Sequence, residues 1–148
     1  MTTTPIRDLR ISELLDIYFG ERCATAGTTG RGRLLRVRRH LETFLDEQAW
    51  RGLTEGDREL LRAEKELDPV GAFARLMHAE DLICAFYWWV QPEFRMTFDL
   101  DAKEQVRIAS QMIDWMHRRG YVRYWRDMSC IILDVRHQVQ LARNALAF

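Results

Sequence analysis

This sequence of 148 residues has few cysteines, almost no lysine and no long apolar run. Its three cysteines, Cys23, Cys84 and Cys130, lie far apart, which excludes a disulfide framework and a Cys-x-x-Cys metal knuckle. The longest apolar run, residues 82–90, is much shorter than the roughly 20 residues that cross a bilayer. The start MTTTPIRDLR is polar and carries no secretory signal. We therefore expect buried, reduced thiols in a cytoplasmic protein with no membrane partner.

Signatures of catalysis and of nucleotide binding are also missing. A phosphate-binding loop at the glycine-rich stretch 27–32 needs a preceding strand and a following Lys-Ser/Thr pair, and neither is present. No serine or cysteine lies in a nucleophile motif such as Gly-x-Ser-x-Gly. Two Asp-x-x-His pairs, Asp114/His117 and Asp134/His137, fall mainly on predicted polar faces, and a dimetal bundle needs further inward carboxylates. We predict no enzyme, no cofactor and no metal, with a metal-binding bundle as the least favoured alternative.

The net charge is zero, but the charges are distributed unevenly. Residues 1–40 hold 8 basic and 4 acidic side chains, residues 41–104 hold 7 and 15, and residues 105–148 hold 7 and 3. If the two basic ends fold side by side, they form the kind of surface that holds a polyanion. The alternative is that the acidic middle neutralises both ends within the fold. Arginine outnumbers lysine 20 to 2, which suits planar recognition of phosphate and which a genome rich in G and C also produces.

The clearest helical pattern lies between residues 101 and 122. On a helical wheel its apolar side chains cover about half of the circumference, which is wider than the stripe of an ordinary surface helix. We therefore place this helix across the middle of a helical domain. Asp99 or Asp101 is a candidate cap of its first turn, and Gly120 suits a left-handed position just after its last turn. The apolar face consists of Val106, Ile108, Ala109, Met112, Ile113, Trp115 and Met116.

Shorter patterns predict the elements before the central helix. We expect a first helix over 12–26 that begins at Ser12, a flexible connector at 27–32, and a second helix over 33–48. In the acidic stretch that follows, Thr54 with an aspartate three residues later predicts the cap of a short helix.

The remaining patterns complete an all-α fold. Asp68 and Pro69 are suited to the start of a further helix, and a kink or a fresh cap is expected near Glu80. Residues 82–90 then form a short buried helix or, as the alternative, a buried strand. The last helix, 126–147, has a narrow apolar stripe that docks on its own domain or on a second copy. We predict a compact orthogonal bundle of about five or six helices, with all 148 residues in a single domain.

Five arginines crowd the first turns of the second helix, where the helix dipole disfavours cations. Each such charge costs roughly 0.3–1 kcal/mol at most, so the pattern indicates an external anion that these side chains meet. The alternative is a solvated face with local relief from an Arg38–Glu42 pair. The five side chains are Arg31, Arg33, Arg36, Arg38 and Arg39.

Five features recur in a fixed order along residues 8–123. They are the helix ISELLDIYFGERCATAG, a glycine–threonine loop, a helix with early arginines that ends in LETFL, the segment EDLICAFYWW, and a helix that closes in IDWMHRRGYV. This order resembles the N-terminal core-binding, SAM-like domain of tyrosine recombinases and phage integrases. The resemblance implies a small SAM-like core to which 126–147 adds an extra C-terminal helix. The matching positions are Leu41, Phe44, Phe86, Trp115, Gly120 and Val122.

In that family the bundle clamps duplex DNA, chiefly through phosphate contacts from its second and fourth helices. The sequence has no His-x-x-Arg motif followed by a nucleophilic tyrosine, so the resemblance does not imply recombination activity. It implies a non-enzymatic DNA-binding or DNA-associated accessory domain whose partner is double-stranded DNA. The predicted phosphate contacts are Arg33, Arg36 and Arg39 with the neighbouring Arg31 on the second helix, and Arg107 and Arg118 on the central helix.

The alternative function is a protein-interaction module or a homodimer with no role in nucleic-acid binding. Its interface would use Trp88 and Trp89 together with Val135, Val139 and Leu146 of the last helix. A contiguous basic face favours DNA, whereas an exposed aromatic patch of several hundred Å² favours a protein partner.

Overall fold

Seven α-helices form the fold in residues 8–147, the part of the chain that the computed structural model describes. The only extended pairing within those residues is an isolated bridge between Arg10 and His78. The predicted all-α class is confirmed, with seven helices where about five or six were expected. The helices are α1 (Ile11–Thr25), α2 (Thr28–Glu47), α3 (Glu55–Leu67), α4 (Ala72–Leu76), α5 (Ala79–Trp89), α6 (Asp99–Arg118) and α7 (Ser129–Leu146), with 3₁₀ turns at Ala49–Gly52 and Pro92–Phe94.

Helix α6 is the predicted central helix and contacts α2, α5 and α7. Every side chain of its predicted apolar face is buried, so the wide arc corresponds to contact with several neighbours. The helix ends as predicted, because Gly120 has a φ of +72°. The Gly120 N–H donates to the His117 carbonyl oxygen (3.1 Å) and the Tyr121 N–H donates to that of Met116 (3.0 Å). These two bonds complete a Schellman motif.

The start of α6 differs from the prediction. Phe98 is the N-cap residue, so neither Asp99 nor Asp101 caps the helix. Both aspartates lie in the first turn, where the helix dipole favours negative charge. The side chain of Asp101 points at α2 instead of the backbone N–H groups, because it is held by arginine.

The predicted connector at 27–32 is wrong, because α2 begins at Thr28 and only two residues separate it from α1. The Arg31 N–H already donates to the Gly27 carbonyl oxygen (2.8 Å). Packing of α2 against α1, α4 and α6 therefore outweighs the roughly 1 kcal/mol by which each glycine disfavours a helix.

The predicted Ser12 cap is also wrong. Helix α1 begins at Ile11, and the Glu13 carboxylate accepts from the Arg10 N–H (3.1 Å).

Two helix starts in the middle of the chain were predicted from local motifs. The Thr54 cap is confirmed, since its hydroxyl accepts from the Asp57 N–H (3.3 Å). The predicted start at Asp68 and Pro69 is wrong, because α4 begins only after Gly71, whose φ is +76°. The Asp46 carboxylate of α2 accepts from the Gly71 N–H (3.1 Å) and fixes this turn from a distance that local sequence does not reveal.

The positions of α5 and α7 bear on two further predictions. Helix α5 begins after His78, which confirms a fresh start near Glu80 and rules out the strand alternative for 82–90. Helix α7 packs on α5 and α6 of its own chain. No helix in residues 8–147 combines the length and the apolar content that crossing a bilayer requires. The buried side chains along α7 and just before it are Met128, Ile132, Val135, Val139 and Ala142.

A fully buried amide connects α6 to the end of α5. The Gln105 Oε1 accepts from the Met96 N–H (2.8 Å), and its Nε2 donates to the carbonyl oxygens of Trp89 (2.9 Å) and Phe94 (3.0 Å). Three backbone groups of the turn before α6 thus depend on one side chain, which satisfies them away from water.

Replacing Gln105 by leucine should lower the free energy of unfolding by about 2–4 kcal/mol, because a side chain of similar size leaves those buried backbone groups without partners. Urea denaturation followed by circular dichroism measures this loss. The control is Gln140→Leu on the exposed side of α7, where the change should stay within about 0.5 kcal/mol. Equal effects of the two substitutions would contradict the role assigned to Gln105.

Candidate nucleic-acid interface

Two carboxylates on α6 are nearly inaccessible to solvent. Asp101 is 6% exposed and Glu104 is 8% exposed. They lie three residues apart and therefore on one face of the helix. Buried carboxylates are rare unless cations pair with them, and both are paired with arginines.

Asp101 holds two arginines of α2. The Arg36 Nη2 donates to Asp101 Oδ1 (3.0 Å) and its Nε donates to Oδ2 (3.3 Å), which is a bidentate contact. The Arg33 Nε lies 3.8 Å from Oδ1 of the same carboxylate. The hydrogen bond to Asp101 raises the pKa of Arg36 above its ordinary value. Arg36 is about half exposed, so its guanidinium remains accessible to an external anion.

Glu104 is held in the same way by two further arginines. The Arg22 Nη2 of α1 lies 3.6 Å from Glu104 Oε1, and Arg107, three residues further along α6, donates to Oε2. Arg22 also donates to the Gln111 side chain. Burial raises the pKa of the nearby Tyr18 to about 12, so its hydroxyl stays neutral at physiological pH.

Four arginines thus surround two carboxylates, and one further arginine extends the positive charge. Arg39 is exposed on α2, and within the described residues no carboxylate lies within 4 Å of it. Arg31 is also exposed, but its Nε donates to the Cys23 carbonyl oxygen of α1 (3.3 Å). Arg36 and Arg39 line a depression of about 280 Å³, and Arg22 and Arg33 line a groove of about 430 Å³. We call the five side chains of this surface the arginine face: Arg22, Arg33, Arg36, Arg39 and Arg107.

The structure therefore brings together four of the six arginines predicted to contact phosphates. Of the other two, Arg31 turns to the backbone of α1, and Arg118 lies about 16 Å from Arg107 along the axis of α6. Arg118 lines a separate groove together with Glu21 and Asp114, and Arg22 lines the same groove. Sequence reasoning missed Arg22, because its role depends on a partner about eighty residues later in the chain, and no local motif signals it.

Part of the predicted internal neutralisation is also present. The predicted Arg38–Glu42 pair exists (3.3 Å), and Arg38 also reaches Asp16 of α1 (2.5 Å). Arg119 pairs with Glu21 (2.9 Å). Arg38 is therefore satisfied within the chain and lies outside the arginine face, where cations outnumber carboxylates.

The residues predicted to contact a protein partner are divided between core and surface. Trp89, Val135 and Val139 are buried within this chain, so they are not accessible to a partner in the chain as folded here. A run of nine apolar residues has no periodicity that separates its inner from its outer face. Trp88 and Leu146 are partly exposed.

The two Asp-x-x-His pairs have other contacts. Asp114 accepts from the Arg136 Nη2 (2.8 Å), and the His117 ring stacks on Trp125 with the ring centroids 3.7 Å apart. Asp134 lines a shallow groove with Trp88. Among residues 8–147, no group of three or more His, Cys, Asp or Glu side chains is arranged to hold a metal ion.

The three cysteines are free thiols. Cys23 and Cys84 are partly buried, and burial raises the pKa of the Cys84 thiol to about 11. Cys130 is exposed, so the expectation that all three thiols are buried is wrong for this residue. It lies on the side of α7 opposite the buried stripe.

The indole of Trp89 is fixed to α2 by a histidine beside the arginine face. The Trp89 Nε1 donates to the Nδ1 of His40 (2.9 Å), so this nitrogen must carry no proton. Burial lowers the pKa of His40 below its ordinary value of 6.5, which preserves the neutral ring at physiological pH.

The free energy of unfolding should fall on acidification because of His40. Its folded-state pKa is below the unfolded value, so its contribution is complete above about pH 6.5 and is lost as the pH falls through the folded pKa. Urea denaturation at about pH 7.5 and at about pH 5 should show a larger loss for the wild type than for His40→Asn, which keeps an acceptor but does not titrate. Identical losses would show that His40 is not the group responsible.

Comparisons with known proteins identify no family for this chain. No protein-family model, no curated protein and no solved structure matches it. The resemblance to integrase core-binding domains stays a prediction, and function has to be inferred from the side chains themselves.

Proposed function

We propose that this chain is a non-enzymatic DNA-binding or DNA-associated accessory domain that holds the phosphates of double-stranded DNA on its arginine face. The observation that supports this function best is the local excess of cations. In the described part of the chain, five arginines of three helices meet on one surface, and the two carboxylates that pair with them, Asp101 and Glu104, are both nearly inaccessible.

The buried carboxylates favour this use of the arginines. Asp101 and Glu104 fix guanidinium groups that otherwise lose considerable side-chain entropy when they bind an anion. A guanidinium that already faces a carboxylate with one edge keeps other N–H groups for a second acceptor. Arg36, which is paired yet about half exposed, fits this description and is the centre of the proposed contact.

The zero net charge of the chain is compatible with this proposal. Screening limits the reach of exposed charges to roughly 8 Å at physiological ionic strength, so a phosphate senses the nearest side chains and not the sum over the chain. Contacts of this kind position DNA without reading its sequence. We therefore propose binding that depends strongly on salt and weakly on base sequence.

Fluorescence anisotropy of a labelled random duplex should show binding that weakens steeply as salt increases. The variant Arg36→Ala/Arg39→Ala should bind more weakly and should reduce the slope of log K against log salt by about two, roughly one for each lost phosphate contact. Arg33 still faces Asp101 in this variant, and circular dichroism checks that the fold is kept.

The matched control is Arg123→Ala/Arg126→Ala, which removes the same charge from exposed positions in the connection between α6 and α7. Its affinity and salt slope should stay close to those of the wild type. Absence of binding at low salt, or an equal loss in both double variants, would refute the proposed arginine face.

Asp101→Asn should change affinity in the opposite direction. The substitution keeps the shape of the side chain but removes the charge that opposes Arg33 and Arg36. Asparagine keeps an oxygen that accepts from these arginines, so they stay in place, and we expect duplex affinity at low salt to rise about 1.4- to fivefold, the equivalent of roughly 0.2–1 kcal/mol for one charge pair. The same anisotropy titration measures it, and circular dichroism checks that the variant is folded. Unchanged or weaker binding by the folded variant would count against direct phosphate contacts at this site.

A second candidate function, protein interaction, is favoured by one other surface. Tyr87, Trp88 and Ile131 line a mainly apolar groove of about 220 Å³ between α5 and α7. Ile131 is 40% exposed. If the duplex titration fails, this groove is the surface to test against a protein partner or a second copy.

A further inference from the structure

A second cationic site lies on α3, at the end of α2 opposite the arginine face. It is a cleft of about 310 Å³, which we call the Trp50 cleft. Its volume is within the range of small-ligand sites. Its lining residues are Trp50, Arg58, Leu61, Arg62 and Lys65.

The indole of Trp50 is held in place yet remains accessible. Its Nε1 donates to the Glu47 carbonyl oxygen (3.2 Å), and the side chain is 40% exposed. The guanidinium carbon of Arg58 lies over the ring, 5.1 Å from its centroid, and that of Arg51 lies over it at 5.9 Å. A flat ring can stack on this fixed, partly exposed indole when it takes the place of a guanidinium over the ring.

The cations of the cleft are weakly neutralised, although they lie in the acidic part of the chain. Arg58 donates to the Arg51 carbonyl oxygen (3.2 Å) and Lys65 to that of Asp46 (3.1 Å). In the described part of the chain, no carboxylate lies within 4 Å of Arg58 or Lys65. Arg62 is 3.7 Å from Glu55 in an exposed pair, and such pairs contribute little.

Helix periodicity produces this separation of charge. Arg58, Leu61, Arg62 and Lys65 recur at spacings of three and four and share the face of α3 that lines the cleft. The acidic side chains between them project from other faces of the helix. Residues 41–104 therefore have a negative net charge and still form a cationic cleft. Trp50 is its aromatic wall and Leu61 its apolar floor.

We propose that the Trp50 cleft binds a flat aromatic ring that carries a phosphate, as in a nucleotide. The ring stacks on Trp50 above Leu61, and the phosphate meets Lys65, Arg58 and Arg62. The same chemistry is offered by a free nucleotide and by an unpaired nucleotide within a single strand. The cleft shares no side chain with the arginine face, so nucleotide binding at the cleft does not depend on duplex binding at the arginine face.

The test is a titration of the full chain with adenosine 5′-monophosphate, followed by ¹H–¹⁵N correlation spectra. The indole signal of Trp50 is assigned by its absence in Trp50→Phe. We expect saturable shifts of this signal and of the backbone amides of 58–65. Adenosine without phosphate, and inorganic phosphate without a base, should each bind at least about tenfold more weakly than the nucleotide, because each supplies one of the two contacts.

Two variants examine the two halves of the site. Trp50→Ala should abolish the saturable shifts of the backbone amides, and Arg58→Gln/Lys65→Gln should weaken nucleotide binding by about tenfold. The controls are Trp88→Ala and Arg123→Gln/Arg126→Gln, which make equivalent changes outside the cleft and should bind as the wild type does. If Trp50→Ala fails to fold, Trp50→Phe with its smaller ring should show weaker binding and takes its place.

A single-stranded adenosine hexanucleotide distinguishes the two sources of the ligand. Tighter binding of the hexanucleotide than of the mononucleotide assigns the cleft to a strand, and equal binding assigns it to a free nucleotide. The proposal is overturned if neither probe produces saturable shifts at concentrations up to about 10 mM. It is also overturned if inorganic phosphate alone binds as tightly as the nucleotide, or if binding survives in Trp50→Ala.

Discussion

The burial of one wide apolar helix face organises this structure. Because the apolar side of α6 covers about half of its circumference, several helices must pack on it, and α2, α5 and α7 do so. The edge of that face carries Asp101 and Glu104. Once α2 and α1 pack beside α6, these carboxylates lose water and need cations. The arginines on the neighbouring helices supply them, so hydrophobic packing also assembles the arginine face.

The same arrangement explains why a neutral chain holds a cationic surface. Burying an unpaired carboxylate costs several kcal/mol, and each of the two carboxylates is covered by two arginines. Two arginines paired with one carboxylate leave a net charge of about +1 at the surface, the remainder, while the carboxylate itself faces inward. Compensating acidic charge lies elsewhere, chiefly on the exposed sides of α3. Because screening confines the effect of exposed charges, the remainder is available locally to an anion.

Sequence reasoning succeeded where a single element determines the outcome. The wide face of α6, the left-handed Gly120 and the Thr54 cap depend on residues within one or two helical turns, and all three are confirmed. It failed where a distant contact decides. The sequence predicts Asp101 as a helix cap because the α2 arginines that hold it are remote in sequence. No local motif predicts the contact of Arg22 with Glu104. The glycines at 27–32 predict a loop because glycine has a low helix propensity. The structure has a helix there because α2 packs on other helices, a contribution that local sequence does not show.

The two cationic surfaces differ in how their charges are held, and this difference leads to different ligands. In the arginine face, buried carboxylates fix guanidinium groups of three helices, α1, α2 and α6, an arrangement that suits the repeated phosphates of a duplex backbone. In the Trp50 cleft, backbone carbonyls and an indole hold the cations. An aromatic wall adds nothing to the recognition of a phosphate in a stacked duplex, but it does favour a base that is free to stack. Net charge and composition do not distinguish the arginine face from the Trp50 cleft. The two surfaces are distinguished by the groups that hold each guanidinium, which are carboxylates in the first and backbone carbonyls and an indole in the second.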